Sequence, residues 1–351
     1  MFEVQRYFKV GGFIKLQTSN FKPETAPKAQ IYHCRRFLYF RTLMQVHRLN
    51  GRLISFRDAV VTIGTFDGVH TGHQKIIAQL KQEAAKISGE SVIITFDPHP
   101  RKVLDPSRPL KLITTLDEKI ELLDKQGVDH LVVVPFTRAF AGMSAEEYMR
   151  DFLVDKFCPH TVIIGYDHRF GHDRRGDYHM MESFAEQLNF QLCEIPQHLV
   201  ESIIVSSTQI RKSIGEGNVH IANDLLGYDF FFEGKIIEGN KLGRQLGFPT
   251  ANLEVKDADK LIPGNGVYAV TATLEGKNYE GMMNIGIRPT LTDGLFMIEV
   301  NLFQFDEDIY GKQLRVHVKK FMRPEKKFNG LDALKEQIAQ DKLDVLSILH
   351  S

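Results

Sequence analysis

No stretch of the sequence stays apolar for the roughly 18 to 20 residues needed to cross a bilayer, so a membrane-spanning protein is not expected. Cysteine is nearly missing: Cys34, Cys158 and Cys193 are odd in number and widely spaced, which gives neither a disulfide framework nor a zinc-ligand pattern. A reducing compartment, and so a cytoplasmic location, is the expectation. Charge of one sign is missing as well, since 44 basic side chains meet 44 acidic ones. Without a global field, neither nucleic acid nor a membrane surface is an expected partner. The two commonest nucleotide loops, G-x-G-x-x-G and G-x-x-x-x-G-K-[ST], do not occur, and there is no low-complexity tract or internal repeat.

What is present is a globular composition, 43% hydrophobic and 25% charged, in a chain of 351 residues, long enough that two domains are expected. Charge is unevenly spread. Residues 1–43 carry eight Lys or Arg against Glu3 and Glu24, a local charge of +6 balanced by −6 over the remainder. That segment has no sustained periodicity and is followed by Met44, which points to an overextended start. A mitochondrial transit peptide is the competing reading, and the single serine, Ser19, fits it badly.

From Asp58 to about Gln197, apolar runs alternate with amphipathic ones: "AVVTIG" then "GHQKIIAQLKQEAAKI", "SVIITF" then "TLDEKIELLDKQG", "LVVVPF" then "SAEEYMRDFLVDKF", then "TVIIG". Strands of this kind, each followed by a helix, predict a parallel sheet covered on both faces, with ligands at the carboxyl ends of the strands. "SSTQIRKSIGEGN" reads as a short capped helix leading out of this part. After Tyr228 the pattern changes to closely spaced runs, "FFEGKIIEG", "GVYAVTATLEG", "NYEGMMNIGI", "FMIEVNLFQF" and "KQLRVHVKKF", with one helix near "GLDALKEQIAQD". Many strands with little intervening helix predict an antiparallel barrel or sandwich.

The stretch "VVTIGTFDGVHTGHQKII" is a strand running through Gly64, Gly68 and Gly72 into a helix, an element whose free N–H groups and positive helix end attract phosphate. His70 and His73, three apart on the first helical turn, share a face and can touch one anion. Imidazoles there can stabilise charge developing on a phosphorus without acting as nucleophiles. A bare H-x-x-H is more commonly a surface or capping pair, and a metal pair lacks a third ligand at a fixed spacing.

"GTFDGVHTGH" resembles the first signature of the bacterial bifunctional riboflavin kinase/FMN adenylyltransferase (FAD synthetase) family, a variant of the H-x-G-H motif of nucleotidylyltransferases. "TFDPHPRKVL", "GYDHRFGHDRRGD" and "SSTQIR" follow in that family's order, and "GRQLGFPTANL", "NIGIRPT" and "IYGKQLRVHVKKFMRPEKKF" resemble its kinase half. The resemblance runs from about Met44 to the C-terminus. It implies an α/β plus mainly β protein: a Rossmann-like nucleotidyltransferase parallel-sheet domain over 44–214, a linker over 215–227, and a riboflavin kinase antiparallel β-barrel over 228–351. Riboflavin and ATP would give FMN in the second half, and FMN and ATP would give FAD and pyrophosphate in the first, both with Mg²⁺. Small molecules are then the partners, of a monomer or weak homo-oligomer. The resemblance leaves two alternatives, a kinase with an inactive first domain and a flavin-sensing binding protein.

In the first half the resemblance gives His70, His73 and Arg211 as catalytic, and Gly64, Phe66, Asp67, Gly68, Ser206, Ser207 and Thr208 as ATP-binding. Asp67 is equally read as a hydrogen-bonded turn residue, and Ser206 with Gln209 fits an S-x-x-Q capping box. His99 of "DPHP" and Asp167 and Arg169 of "GYDHRFGHDRRGD" are flavin-site candidates, or parts of a turn and a solvated loop. In the second half Thr250 and Asn252, two apart on an extended backbone, share a face and can meet one hard cation. Taken alone such a pair is usually an ordinary turn; the resemblance makes it an Mg²⁺ and ATP site, with Gly239, Gly243, Arg244 and Gly247 closing over the nucleotide. Glu299 aligns with the family's catalytic glutamate, a base for a ribityl hydroxyl. Asn301 stands where many relatives carry histidine. Asn284, Arg288, Thr290 and Arg323 are further candidates for the flavin and nucleotide sites.

Overall fold

The computed structural model describes residues 43–50, 54–165, 169–195, 206–239, 242–287 and 296–351. The chain divides into two units, Met1–Phe40 and Arg41–Ser351, and the second holds every element below. The basic segment before Leu43, together with Asp167, Arg288 and Thr290, lies outside the described residues.

Six parallel strands form a sheet in the order β1-β4-β3-β2-β5-β6: β1 Gln45–Arg48, β2 Val60–Ile63, β3 Ser91–Phe96, β4 His130–Val134, β5 Thr161–Gly165 and β6 Gln191–Ile195. All four residues of β2 and all five of β4 are buried, as expected of parallel strands covered on both faces. Each such Val or Ile contributes about 1.5–3 kcal/mol of burial. Helix α1 (Thr71–Lys86) follows β2 and lays Ile77, Leu80 and Ala84 against the sheet. Short α2 (Pro100–Leu104) follows β3, and α3 (Leu116–Gln126) starts with a full capping box: Thr115 Oγ1 accepts from Glu118 N (3.2 Å) and Glu118 Oε2 accepts from Thr115 N (2.8 Å). Helix α4 (Tyr178–Leu188) precedes β6. The edge strand β1, "QVHR", carries no apolar alternation and is held by its parallel pairing with β4, so the hydrophobic pattern did not reveal it.

The second half closes into a six-stranded antiparallel barrel, β10-β11-β8-β7-β12-β9, which selects the barrel over the sandwich. Its strands are β7 Phe231–Ile237, β8 Ala251–Glu254, β9 Gly266–Leu274, β10 Lys277–Ile287, β11 Phe296–Leu302 and β12 Gln313–Arg323. Phe232, Ala251, Leu253, Val270, Met283, Ile298, Val300 and Val316 fill the core. The segment expected as a linker is largely helical. Helix α5 (Ser207–Gly215) and α6 (Val219–Leu226) send Ile210, Ile214, Val219, Ala222 and Leu226 into the barrel's own hydrophobic cluster. The C-terminal helix α7 (Leu331–Leu349) runs beyond the stretch expected, because Val345, Leu346, Ile348 and Leu349 pack on Ala269, Met282 and Phe303 outside the barrel.

Candidate active sites

The turn after β2 sits at the carboxyl end of a central strand, where ligands of such sheets bind. Gly68 adopts φ +83°, and a Cβ there would meet Ile113 Cγ2 at 3.0 Å, so the turn requires glycine. Asp67, 1% exposed, has its carboxylate fully engaged. Its oxygens accept from Ile113 N (3.2 Å), Thr114 N (3.1 Å), Thr114 Oγ1 (3.3 Å) and Arg211 Nη2 (2.6 Å). Arg211 is held a second time by Lys111 O (2.9 Å to Nε). Asp67 is thus the post that draws Arg211, 144 residues away in sequence, to the turn after β2. Gly64 and Phe66 belong to the same turn, and Phe66 stands 4.9 Å from His73, ring centre to ring centre.

His70 is the N-cap of α1; its Nδ1 accepts from His73 N at 3.4 Å, which leaves Nε2 as the proton-bearing nitrogen. The capping role and the shared face expected of the pair are both present, since the two rings stack with centroids 3.7 Å apart. Burial pushes the His70 imidazole down to about 4 and holds His73 well below its ordinary value. His73 Nδ1 is buried with no partner among the described residues. The rings are therefore neutral hydrogen-bonding groups at pH 7, and positive charge here must come from elsewhere. One source was not singled out in the sequence: Lys119 of α3, buried, donates Nζ to Thr65 O (2.8 Å), with burial pulling its ammonium down and Asp67 and Asp97 holding it up. Its signal was a lysine within the apolar stripe Leu116, Ile120, Leu123 of "TLDEKIELL".

Ser206 caps α5 by accepting from Gln209 N (3.2 Å); Ser207 donates to Asp67 O (3.2 Å), and Thr208 is exposed beside them. His99 caps α2 and is also pushed down to about 4, first by burial. It lines a cavity of about 320 Å³ with Arg48, Asp97, Lys102, Asp117, Asp257 and Asp259, the last two from the barrel half. A smaller recess, which shares His99 and Asp97 with that cavity, is lined by Asp67, Thr114 and Lys119 as well. Exposed Arg169 pairs with Asp177 (3.4 Å).

On the barrel, register does the positioning. Glu299 lies directly opposite Asn252 on one neighbouring strand and Asn284 on the other, so the three share one face. Their neighbours Ala251, Leu253, Ile298 and Val300 point into the core, which puts the row on the barrel's outer face. Thr250 precedes the strand by one residue, two before Asn252. A Cβ on Gly239 would fall 2.1 Å from Asn252 Nδ2, and one on Gly243 2.4 Å from Phe248 O and 3.2 Å from Thr250 Oγ1. Arg244 and Gly247 follow, exposed. Asn301 donates to Pro249 O (2.6 Å), bracing the turn before Thr250, and Asn284 donates to Glu325 (3.3 Å). Arg323 pairs with Asp341 of α7 (Nη2 to Oδ2 2.6 Å, Nε to Oδ1 2.9 Å).

Comparison with known proteins matches residues 54–209 to the FAD synthetase family and residues 226–349 to the riboflavin kinase family. A protein of Listeria monocytogenes is 39% identical over 289 residues, 82% of this chain and 91% of that protein. One of Bacillus subtilis is 37% identical, covering 82% and 92%, and one of Escherichia coli 35%, covering 81% and 90%. All three are named bifunctional riboflavin kinase/FMN adenylyltransferase. A crystal structure from Streptococcus pneumoniae, described as a macrolide-efflux protein, shares the architecture with a TM-score of 0.78 at 30% identity, over 85% of this chain and 98% of that one. Among the described residues of the present chain no helix is long and apolar enough to cross a membrane.

Proposed function

Because the chain belongs to the bifunctional riboflavin kinase/FMN adenylyltransferase family, we propose that it converts riboflavin to FMN and FMN to FAD, each step consuming ATP. Residues 228–351 would carry the first reaction and 44–214 the second, joined through 215–227. The observation that supports two reactions is that one chain holds two separate polar constellations, one at the end of β2 and one on the outer face of the barrel.

In the adenylyl transfer an FMN phosphate oxygen attacks the α-phosphorus of ATP, and the bond to the pyrophosphate oxygen breaks. Both reactants are anions, so the protein's task is alignment and charge neutralisation. His70 donates from Nε2 and His73 offers its unpartnered nitrogen, both neutral. Arg211 and Lys119 supply the cations, and Ser206, Ser207 and Thr208 present the free N–H groups and hydroxyls of α5's first turn. Gly64, Phe66, Asp67 and Gly68 shape this ATP site, while His99, Asp167 and Arg169 belong to the flavin side.

In the kinase reaction the terminal ribityl hydroxyl attacks the γ-phosphorus of ATP, ADP leaves, and Glu299 takes the hydroxyl proton. Thr250 and Asn252 offer a hydroxyl and an amide oxygen, hard neutral donors that suit Mg²⁺ when phosphate oxygens complete its shell. The Gly239 and Gly243 cradle fits that use, since a side chain at either would displace these donors. Mg²⁺ there would neutralise and orient the phosphates. Arg244 and Gly247 flank the ATP, and Asn284, Arg288 and Arg323 border the flavin and nucleotide sites. Small molecules are its partners in a cytoplasmic monomer or weak homo-oligomer that binds neither nucleic acid nor membrane.

The test is chromatographic. Incubating the protein with ATP, Mg²⁺ and either riboflavin or FMN is expected to yield FAD from both and pyrophosphate in step with FAD. FMN accumulating without FAD or pyrophosphate would leave only a kinase, and no turnover of either flavin would leave a binding protein.

A further inference from the structure

Residues 111–114 lie between the two halves and are held from both sides. On one side the Thr114 N–H and Ile113 N–H bond Asp67, Gly68 N donates to Thr114 Oγ1 (3.1 Å), and Lys111 O holds Arg211. On the other side stands Lys260, from the barrel half's connection between β8 and β9. This residue is 2% exposed, and its ammonium donates to Ile113 O (2.6 Å) and to Glu118 Oε2 (2.5 Å) and lies 4.8 Å over the Phe230 ring. The backbone follows the same path: Leu112 N donates to Asp259 O (2.7 Å) and Leu261 N to Leu112 O (2.8 Å). The Ile113–Thr114 peptide is therefore clamped at its carbonyl by Lys260 and at its N–H by Asp67, and each bond polarises the other.

We propose that Lys260, carried by the kinase half, is a positioning residue for adenylyl transfer: it fixes the peptide that aims Asp67, and through Asp67 it aims Arg211. The inference rests on Asp67 and Arg211 belonging to the adenylyltransferase site. Glu118 is recruited for a double task, closing the capping box of α3 and pairing with Lys260, so its carboxylate ties the first turn of that helix to the barrel half. Burial pushes Glu118 up and Lys260 down, so removing one partner alone would strand the other in a dry site.

The informative variant is accordingly the double substitution Lys260→Met with Glu118→Gln in the full chain, which leaves no buried charge unpaired. Both activities are measured in one preparation, well below its unfolding temperature. The expected result is a fall of at least tenfold in kcat/KM for FAD formation from FMN, with FMN formation from riboflavin within twofold of wild type. Adding Asp67→Asn is expected to cost less than the product of the separate effects, because both act through the same peptide. Unchanged FAD formation in the double variant, an equal fall of both activities, or multiplicative effects with Asp67→Asn would each overturn the inference. A wild-type chain that forms FMN but no FAD would instead remove the reading beneath it.

Discussion

Asp67 shows how much one carboxylate can hold: three hydrogen bonds from Ile113 and Thr114 and an ion pair to Arg211, all but sealed from solvent. Asp67→Asn leaves the guanidinium without its counter-charge and presents an N–H₂ where an acceptor is needed. The expected cost is about 3–5 kcal/mol, read by denaturant unfolding. FAD formation should fall more than a hundredfold while riboflavin phosphorylation stays within twofold; equal loss of both would contradict a local role. The histidines give a prediction of a different kind. Burial holds His70 and His99 at about 4, below the ordinary imidazole value of about 6.5. The unfolded chain takes up more protons than the folded one across that interval, so stability is complete above about 6.5 and is lost as pH falls towards 4. Each ring contributes up to about 3 kcal/mol to that loss. Replacing His99 by Gln should flatten the acid limb of unfolding free energy against pH, and an unaltered limb would show that its ring is not desolvated in the folded protein.

Single elements mark what a sequence discloses and what it withholds. The sheet strands were legible because continuous apolar runs such as "VVTI" and "SVIITF" leave few other solutions, and the antiparallel second half because five strand-like runs follow one another with little intervening helix, a pattern that leaves barrel and sandwich both open. Strand β1 was not, since its hold on β4 is made by backbone groups that every residue has. At the site, motif residues were legible, whereas Lys119, Thr114 and Lys260 were not: their roles come from folding segments 46 to 147 residues apart against the signature turn and one another. Asn252, Glu299 and Asn284 were found one by one, but their common face is a matter of register between β8, β11 and β10, which no local pattern states. Gly239 belongs to this scale. An alanine there would drive its methyl into Asn252, so Gly239→Ala is expected to lower kcat/KM for FMN formation at least tenfold and leave FAD formation from added FMN untouched. A kinase unaffected by that change would remove Asn252 from the site.

Across the molecule, the two halves are bound by more than a tether. Arg315 of β12 grips Glu121 of α3 with two nitrogens (2.7 and 2.5 Å) and Glu233 of β7 with its Nε (2.6 Å). These bonds hold the Glu121 carboxyl at about 2. Tyr228 donates to Gly68 O (2.6 Å), Thr71 to Leu225 O and Gln74 to Leu226 O (both 2.9 Å), and Lys260 completes the contact. Part of this network touches the turn after β2 itself. The halves should therefore unfold together, in one calorimetric transition that Arg315→Met separates into two; two transitions in the wild-type protein would contradict the coupling.

The central claim is that one chain carries two independent active sites, and the most direct measurement is a crossover of single variants in the same assay. His73→Asn is expected to abolish FAD formation from FMN while FMN still forms from riboflavin. Glu299→Gln is expected to do the reverse, with FAD still made from supplied FMN. That pattern would establish two sites with one activity each. Loss of both activities in either variant, or of neither, would contradict it.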